Sequence, residues 1–190
     1  MKKLTALLTS LLLLFSCVPF AASAEKTEPS SHILVVYFSA TGTTKSVAEK
    51  LAEGLSADLY EIVPKEPYTD ADLNYNDRRS RTSIETDAPN CRPEIAGELP
   101  DLSAYDTVFI GYPIWWGDTP RIVSNFVENV DLKGKTLAVF FTSGSSGLGS
   151  SMKHLMQQAG AGEWLEGKRF TSRTSVEELV NWAVSLGIER

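Results

Sequence analysis

Cysteine is scarce in this sequence, with Cys17 and Cys91 the two in 190 residues. Cys17 lies in an apolar N-terminal stretch, so Cys91 is the lone thiol of the remaining chain and no internal disulfide can form even in an oxidising compartment. Cys91 is therefore expected to carry no role. Positive charge is short as well: without Lys2 and Lys3, 16 basic residues face 24 acidic ones, a net charge of −8. Such a surface argues against nucleic acid and anionic membrane, which need a positive field, and permits steering toward a basic partner. Histidine is limited to His32 and His154, both expected on the surface without function, and no metal site is expected. Internal repeats, a calcium loop, the P-loop pattern G-x-x-x-x-G-K-[ST] and the dinucleotide pattern G-x-G-x-x-G are all missing, and the N-terminal stretch has no twin arginine.

Long hydrophobic runs occur at one place. Residues 1–24 combine Lys2 and Lys3, an apolar leucine-rich stretch over 4–20, and Ala22-Ser23-Ala24 ahead of Glu25, which reads as a secretory signal with its cleavage site. The run is short for a retained anchor and is broken by Pro19. An alternative uses Leu14-Phe15-Ser16-Cys17, which resembles a lipoprotein box with a bulky Phe in an awkward place, so membrane attachment is expected only if Cys17 is lipidated. The expected organisation is a signal peptide at 1–24, a polar linker at 25–32 and one domain at 33–190, exported to a periplasm or secreted. About 166 mature residues suffice for one proper core, and a monomer is expected. A general secretory signal threads an unfolded chain, so any cofactor would be acquired after export.

Residues 33–38 form an unbroken apolar run rich in β-branched and aromatic types, the pattern of a strand buried on both faces of a parallel sheet. Ser39, Thr41, Gly42, Thr43 and Thr44 follow, and a helical pattern begins at Ser46 and ends near Gly54. A strand feeding a helix through a hydroxyl-rich turn aims free N–H groups and the positive end of the helix dipole at one point, where a phosphate binds. One Ser or Thr would suffice as a helix cap, whereas this turn clusters several hydroxyls around a glycine. Held without a P-loop, a terminal monoester such as that of flavin mononucleotide suits it.

Residues 58–63 alternate like a strand nearer the edge. Residues 64–100 are sparse in apolar side chains and crowded with charge; a helix starting near Thr69 and Asp72, plus a long surface loop able to cover a site, is expected there. A second buried strand at 108–110 runs into Pro113-Ile114-Trp115-Trp116-Gly117, a loop carrying two of the four tryptophans, which either plug the core or stack on something flat. Asp118, Thr119 and Pro120 then start a helix with proline in its first turn. Strand 137–141, the loop Thr142-Ser143-Gly144-Ser145-Ser146-Gly147-Leu148-Gly149 and a helix over 150–158 repeat the arrangement, with Met152 and Met156 expected in the core. A short strand at 168–171 and a helix at 174–186 close the chain. Alternating strands and helices imply a doubly wound, five-stranded parallel α/β sheet in the order 2-1-3-4-5 with helices on both faces; the loops after strands one and three, the hydroxyl turn and the tryptophan loop, flank the switch point where ligands bind.

With Y-F-S-x-T-G at the first loop, G-Y-P-I-W-W-G at the second and T-S-G-x-S-G at the third, the sequence resembles the flavodoxin family, and in particular its bacterial subgroup with the G-Y-P-I-W-W-G loop. The resemblance implies a flavodoxin-like fold with non-covalent FMN. It implies that Ser39, Ala40, Thr41, Gly42, Thr43 and Thr44 hold the phosphate. Pro113, Ile114, Trp115, Trp116 and Gly117 would border the isoalloxazine, and Ser143, Gly144, Ser145 and Gly147 its other edge. No catalytic side chain is then required; a nearby Asp118 would disfavour extra negative charge on reduced flavin. The expected function is an exported electron carrier working with a redox partner protein or small electron acceptor. The alternative is an FMN-dependent NAD(P)H oxidoreductase acting on quinones or nitro compounds. A cofactor-free receiver-like domain is disfavoured, since the strand ends carry Ser39, Pro113 and Ser143 in place of clustered aspartates.

Overall fold

The computed structural model describes residues 32–188; the expected signal peptide and nearly all of the linker lie outside them. Five positions of parallel strand are filled in the order 2-1-3-4-5. Strand β1 (Ile33–Tyr37) lies between β2 (Asp58–Glu61) and β3 (Thr107–Pro113), and β3 pairs with β4 (Thr136–Thr142). Beyond β4 the fifth position holds two short pieces, β5 (Glu163–Trp164) and β6 (Lys168–Phe170), each paired with β4. The expected single strand at 168–171 is thus half of the edge, interrupted at Gly167, where a Cβ would meet the Val139 carbonyl at 3.3 Å.

Alternation along β1 shows why the sheet is doubly wound. Ile33, Val35 and Tyr37 join the core beneath helices α1 (Thr43–Leu55) and α5 (Val176–Ser185), through Val47, Leu51, Leu179 and Trp182. Leu34 and Val36 join the opposite core with Ile122, Phe126 and Leu155 of α3 (Arg121–Glu128) and α4 (Ser151–Ala159). Both faces being covered, the run needs no polar residue. Gly111 in β3 is required by packing: a Cβ there would lie 2.0 Å from the Phe140 ring.

Helix α1 starts at Thr43, a turn earlier than the hydrophobic pattern suggested. Helix α2 (Arg81–Asp87) is not at Thr69 and Asp72. Those two satisfy each other in a closed turn, with Thr69 N and Oγ1 donating to Asp72 Oδ2 at 2.9 and 2.7 Å and Asp72 N donating to Thr69 Oγ1 at 3.2 Å. Ser80 caps α2 by accepting from Ser83 N at 3.4 Å. The excursion that carries α2 is pinned at its base, where Lys65 N donates to Glu94 O at 2.9 Å and Ala96 N to Val63 O at 2.8 Å. Met152 packs against the core as expected, but Met156, one turn further along α4, is 40% exposed.

Candidate functional site

The C-terminal ends of β1, β3, β4 and β6 surround a cleft of about 370 Å³ lined by Thr41, Thr43, Pro113, Ile114, Trp115, Thr142, Ser143, Gly144, Phe170, Thr171 and Ser172. Loops far apart in sequence meet there because a doubly wound sheet sends the loops at these strand ends to one edge. Its volume lies in the range of small-molecule sites, about 300–1,000 Å³. A larger cleft of about 630 Å³ lies on the excursion instead, and its three basic side chains are all engaged by carboxylates. Arg81 pairs with Glu85, Lys65 with Glu94 and Arg92 with Glu128, each at 2.6 Å.

One end of the strand-end cleft is bare backbone. Gly42 occupies the N-cap of α1 at φ 82° and offers no side-chain cap, no acidic residue stands in the first turn, and the first intrahelical bond runs from Ser46 N to Gly42 O at 3.0 Å. The preceding N–H groups have no acceptor inside the helix. The hydroxyls divide in two. Thr41 and Thr43 are exposed, with oxygens 3.5 Å apart, whereas the buried Thr44 hydroxyl is bonded to Thr142 Oγ1 at 2.8 Å and ties α1 to β4. Ser39 and Ala40, half-buried, lead into the turn.

The other end is aromatic. Trp115 and Asp118 exchange backbone bonds of 3.0 and 2.9 Å around Trp116 and Gly117. Both central residues have positive φ, 52° and 76°, as a type I′ turn requires. The tryptophans take different parts. Trp115 turns inward, edge-on to Phe38 at 5.3 Å and to Tyr68 at 5.1 Å, and lines the cleft. Trp116 stays 41% exposed, with the Arg78 guanidinium 5.2 Å over its ring, and adopts a left-handed backbone that a bulky residue rarely holds without reason. The excursion thus reaches the site through Tyr68 and Arg78. Tyr68 donates to Glu85 Oε2 at 2.7 Å, and burial together with the Glu85 carboxylate holds its phenol well above the ordinary value, so it remains a neutral donor.

Asp118, expected to bring negative charge to the ring, is engaged elsewhere. Its carboxylate accepts from Thr119 N at 2.8 Å and Arg121 at 3.4 Å and meets His154 Nδ1 at 3.1 Å. His154 accordingly has a partner that its position in the sequence did not reveal; His32 is exposed, 3.3 Å from the Ala104 carbonyl. The half-buried Cys91 thiol is pushed up by burial and by Glu85, which keeps it protonated.

The third loop adds small residues. Ser143 Oγ donates to the Ser146 carbonyl within it, Gly144, Ser145 and Gly147 are exposed, and a Cβ on Gly149 would lie 3.0 Å from the Gly117 carbonyl. Ser39, Ala40, Gly42, Thr44, Trp116, Gly117, Ser145 and Gly147 belong to the same loops without lining the cleft. Phe170, Thr171 and Ser172 were not anticipated. Their signal was present, because Thr171-Ser172 repeats, at a shorter scale, the strand-then-hydroxyl pattern of residues 33–44. Lys50 of α1 holds that loop by donating to the carbonyls of Ser172 at 2.7 Å and Thr174 at 3.1 Å.

The sequence profile of the flavodoxin family matches residues 32–186. A crystal structure of a protein designated a flavoprotein, from Bacteroides eggerthii, is 45% identical with a TM-score of 0.78 and covers 83% of this chain and 98% of its own. A counterpart from Bacteroides uniformis is 41% identical with a TM-score of 0.76, covering 80% and 97%. A flavoprotein of Lactobacillus acidophilus, crystallised in complex with FMN, is 25% identical with a TM-score of 0.62 over 80% and 97%.

Proposed function

The chain belongs to the flavodoxin family, and on that footing we propose that it is an exported, FMN-binding electron carrier. One observation carries the reading. Three strand-end loops meet in a single cleft with a bare helix N-terminus at one end and an aromatic turn at the other. The residues fit the group: no atom lies within 4 Å of where a Cβ on Gly42 would stand, and no acidic side chain opposes an anion in the first turn of α1. The FMN-complexed relative supports the same assignment.

In this reading Ser39, Ala40, Thr41, Gly42 and Thr43 hold the phosphate by hydroxyl and amide, while Thr44 contributes its amide alone. Pro113, Ile114, Trp115, Trp116 and Gly117 border the ring, and Ser143, Gly144, Ser145 and Gly147 its other edge. Bound, the flavin supplies one- and two-electron redox chemistry. Trp115, braced by Phe38 and Tyr68, keeps the apolar wall closed to water. Among the described residues the cleft lining contains no ionisable side chain, which favours a carrier over an enzyme needing an acid or base. The net acidic mature chain suits a basic redox partner.

Purified protein should be yellow and should release FMN on denaturation, and should not oxidise NAD(P)H at a sustained rate with quinone or nitro acceptors. Sustained turnover would favour the reductase alternative, and a colourless protein without affinity for FMN would remove both. N-terminal sequencing from a bacterial host tests export. A start at Glu25 is expected, a lipidated Cys17 would make a tethered carrier, and an intact Met1 in the cytoplasm would refute export.

A further inference from the structure

On the far side of the tryptophan turn lies a separate cleft of about 400 Å³, lined by Pro89, Asp118, Arg121, His154, Gln157 and Gln158. Asp118 belongs to both structures: its backbone makes the two bonds that close the turn on Trp115, and its carboxylate, 14% exposed, reaches into this second cleft. Two of its partners have fixed character. The Thr119 N–H is backbone, and Arg121 is a buried, permanent cation that also donates to the carbonyls of Glu85 at 3.2 Å and Thr86 at 2.7 Å.

The third partner is different. His154 is 43% exposed, its Nδ1 lies 3.1 Å from both Asp118 oxygens, and imidazole is the side chain that changes charge near neutral pH. Helix α4 is registered against the turn's base one helical turn earlier. There Tyr112 Oη meets Ser151 Oγ at 3.2 Å, and Thr119 Oγ1 donates to Ser151 O at 3.2 Å. His154 therefore meets Asp118 from a fixed platform.

We propose that His154 is a positioning residue of the flavin site, whose protonation tightens its hold on Asp118 and thereby sets the Trp116–Gly117 backbone, making flavin affinity pH-dependent. This rests on the flavin reading above. The charged groups facing His154 are Asp118 on the turn and Arg121 on α3. Lys153 precedes it on α4 and points to solvent, and Pro89, Gln157 and Gln158 carry no charge. Protonation of the imidazole adds the attraction of a full positive charge to its contact with the carboxylate, so the turn is held more firmly on the acid side and loosens as pH rises.

Riboflavin is the probe, because the FMN phosphate titrates in the same range. Wild-type affinity for riboflavin should be about threefold or more tighter in mildly acidic than in mildly alkaline buffer. His154→Gln should bind at one weaker, pH-independent level, and His154→Lys, charged throughout, should bind tightly across the range. In flavin-free protein the Gly117 amide resonance should shift with the midpoint of the His154 ring signals and lose that shift in His154→Gln. A His154→Gln protein with the wild-type pH profile, or a Gly117 amide that ignores the titration, overturns the proposal. Wild-type protein that binds neither riboflavin nor FMN at any pH overturns the flavin reading instead, and the Gly117 titration still decides the coupling.

Discussion

At residues 39–44 the backbone is left bare, with a glycine in place of a cap, exposed hydroxyls and helix N–H groups that await an acceptor. At residues 113–118 the backbone is strapped down, braced by Phe38 and Tyr68 from within and by Arg121 and His154 from behind, with Trp116 held at a positive φ. The bare end suits affinity, since its exposed donors are left free by the protein and open to a ligand. The strapped end suits tuning, since its conformation is paid for by contacts that do not involve a ligand at all. If that division is right, substitutions at the strapped end should cost stability first, and substitutions at the bare end should cost binding first.

The largest test separates the two tryptophans. Trp115→Ala should lose about 3 kcal/mol of stability, the low end for truncating an aromatic side chain in a core, and denaturant unfolding measures it. Trp116→Ala should leave the urea midpoint almost unmoved and lower flavin affinity. Comparable stability losses in both would break the contrast within the turn.

Alkaline titration probes the brace. The folded-state values of Tyr68 and Tyr37 are raised well above the ordinary one, by burial first and then by Glu85 and Glu61, and Tyr105 is pushed up to about 12 by burial and Asp58. A raised value means the unfolded chain releases these protons first. The stability they contribute is complete below about pH 10 and is lost as pH rises above it. The urea midpoint should therefore fall from about pH 10 to pH 12 and beyond, and Tyr68→Phe should blunt that fall. An unchanged slope in the variant would mean that Tyr68 does not report on the brace.

Next in size is a split within the hydroxyl loop. Thr44→Ala strands the buried Thr142 hydroxyl and should cost about 1–3 kcal/mol of stability. Thr43→Ala should leave stability alone and lower FMN affinity about tenfold with little change for riboflavin, the loss of one hydrogen bond to a charged group. Reversal of the two outcomes would place the binding hydroxyl at Thr44.

Much of this contrast was legible in the sequence, and the reason is physical. Buried parallel strands must be continuous apolar runs, so 33–38 and 137–141 announce themselves, and the chemistry collects at the strand ends that follow. Helix α2 was misplaced because the residues it buries are Thr82, Ser83 and Glu85, which carry no hydrophobic period. Thr69 and Asp72 imitated a helix start by satisfying each other. The divergence of Trp115 from Trp116 depends on two consecutive positive φ values, and the Asp118–His154 pair spans 36 residues of sequence. Contacts of that separation leave no local pattern to read.

The smallest expected effect is the most discriminating. Gly42 and Gly117 sit at φ 82° and 76°, and a Cβ at either would meet no atom within 4 Å. Alanine at each position therefore pays for the left-handed backbone alone, about 1 kcal/mol, without a clash to confuse the comparison. With equal strain at the two ends, any difference in binding must come from what each backbone does for the ligand. Gly42→Ala should weaken FMN more than riboflavin, because the strained cap misdirects the N–H groups that face a phosphate. Gly117→Ala should weaken both flavins by the same factor, because the turn borders the ring that they share. Fluorescence titration of both flavins against both variants gives the answer. Equal discrimination between the flavins in the two variants would mean that the cleft does not divide into a phosphate end and a ring end.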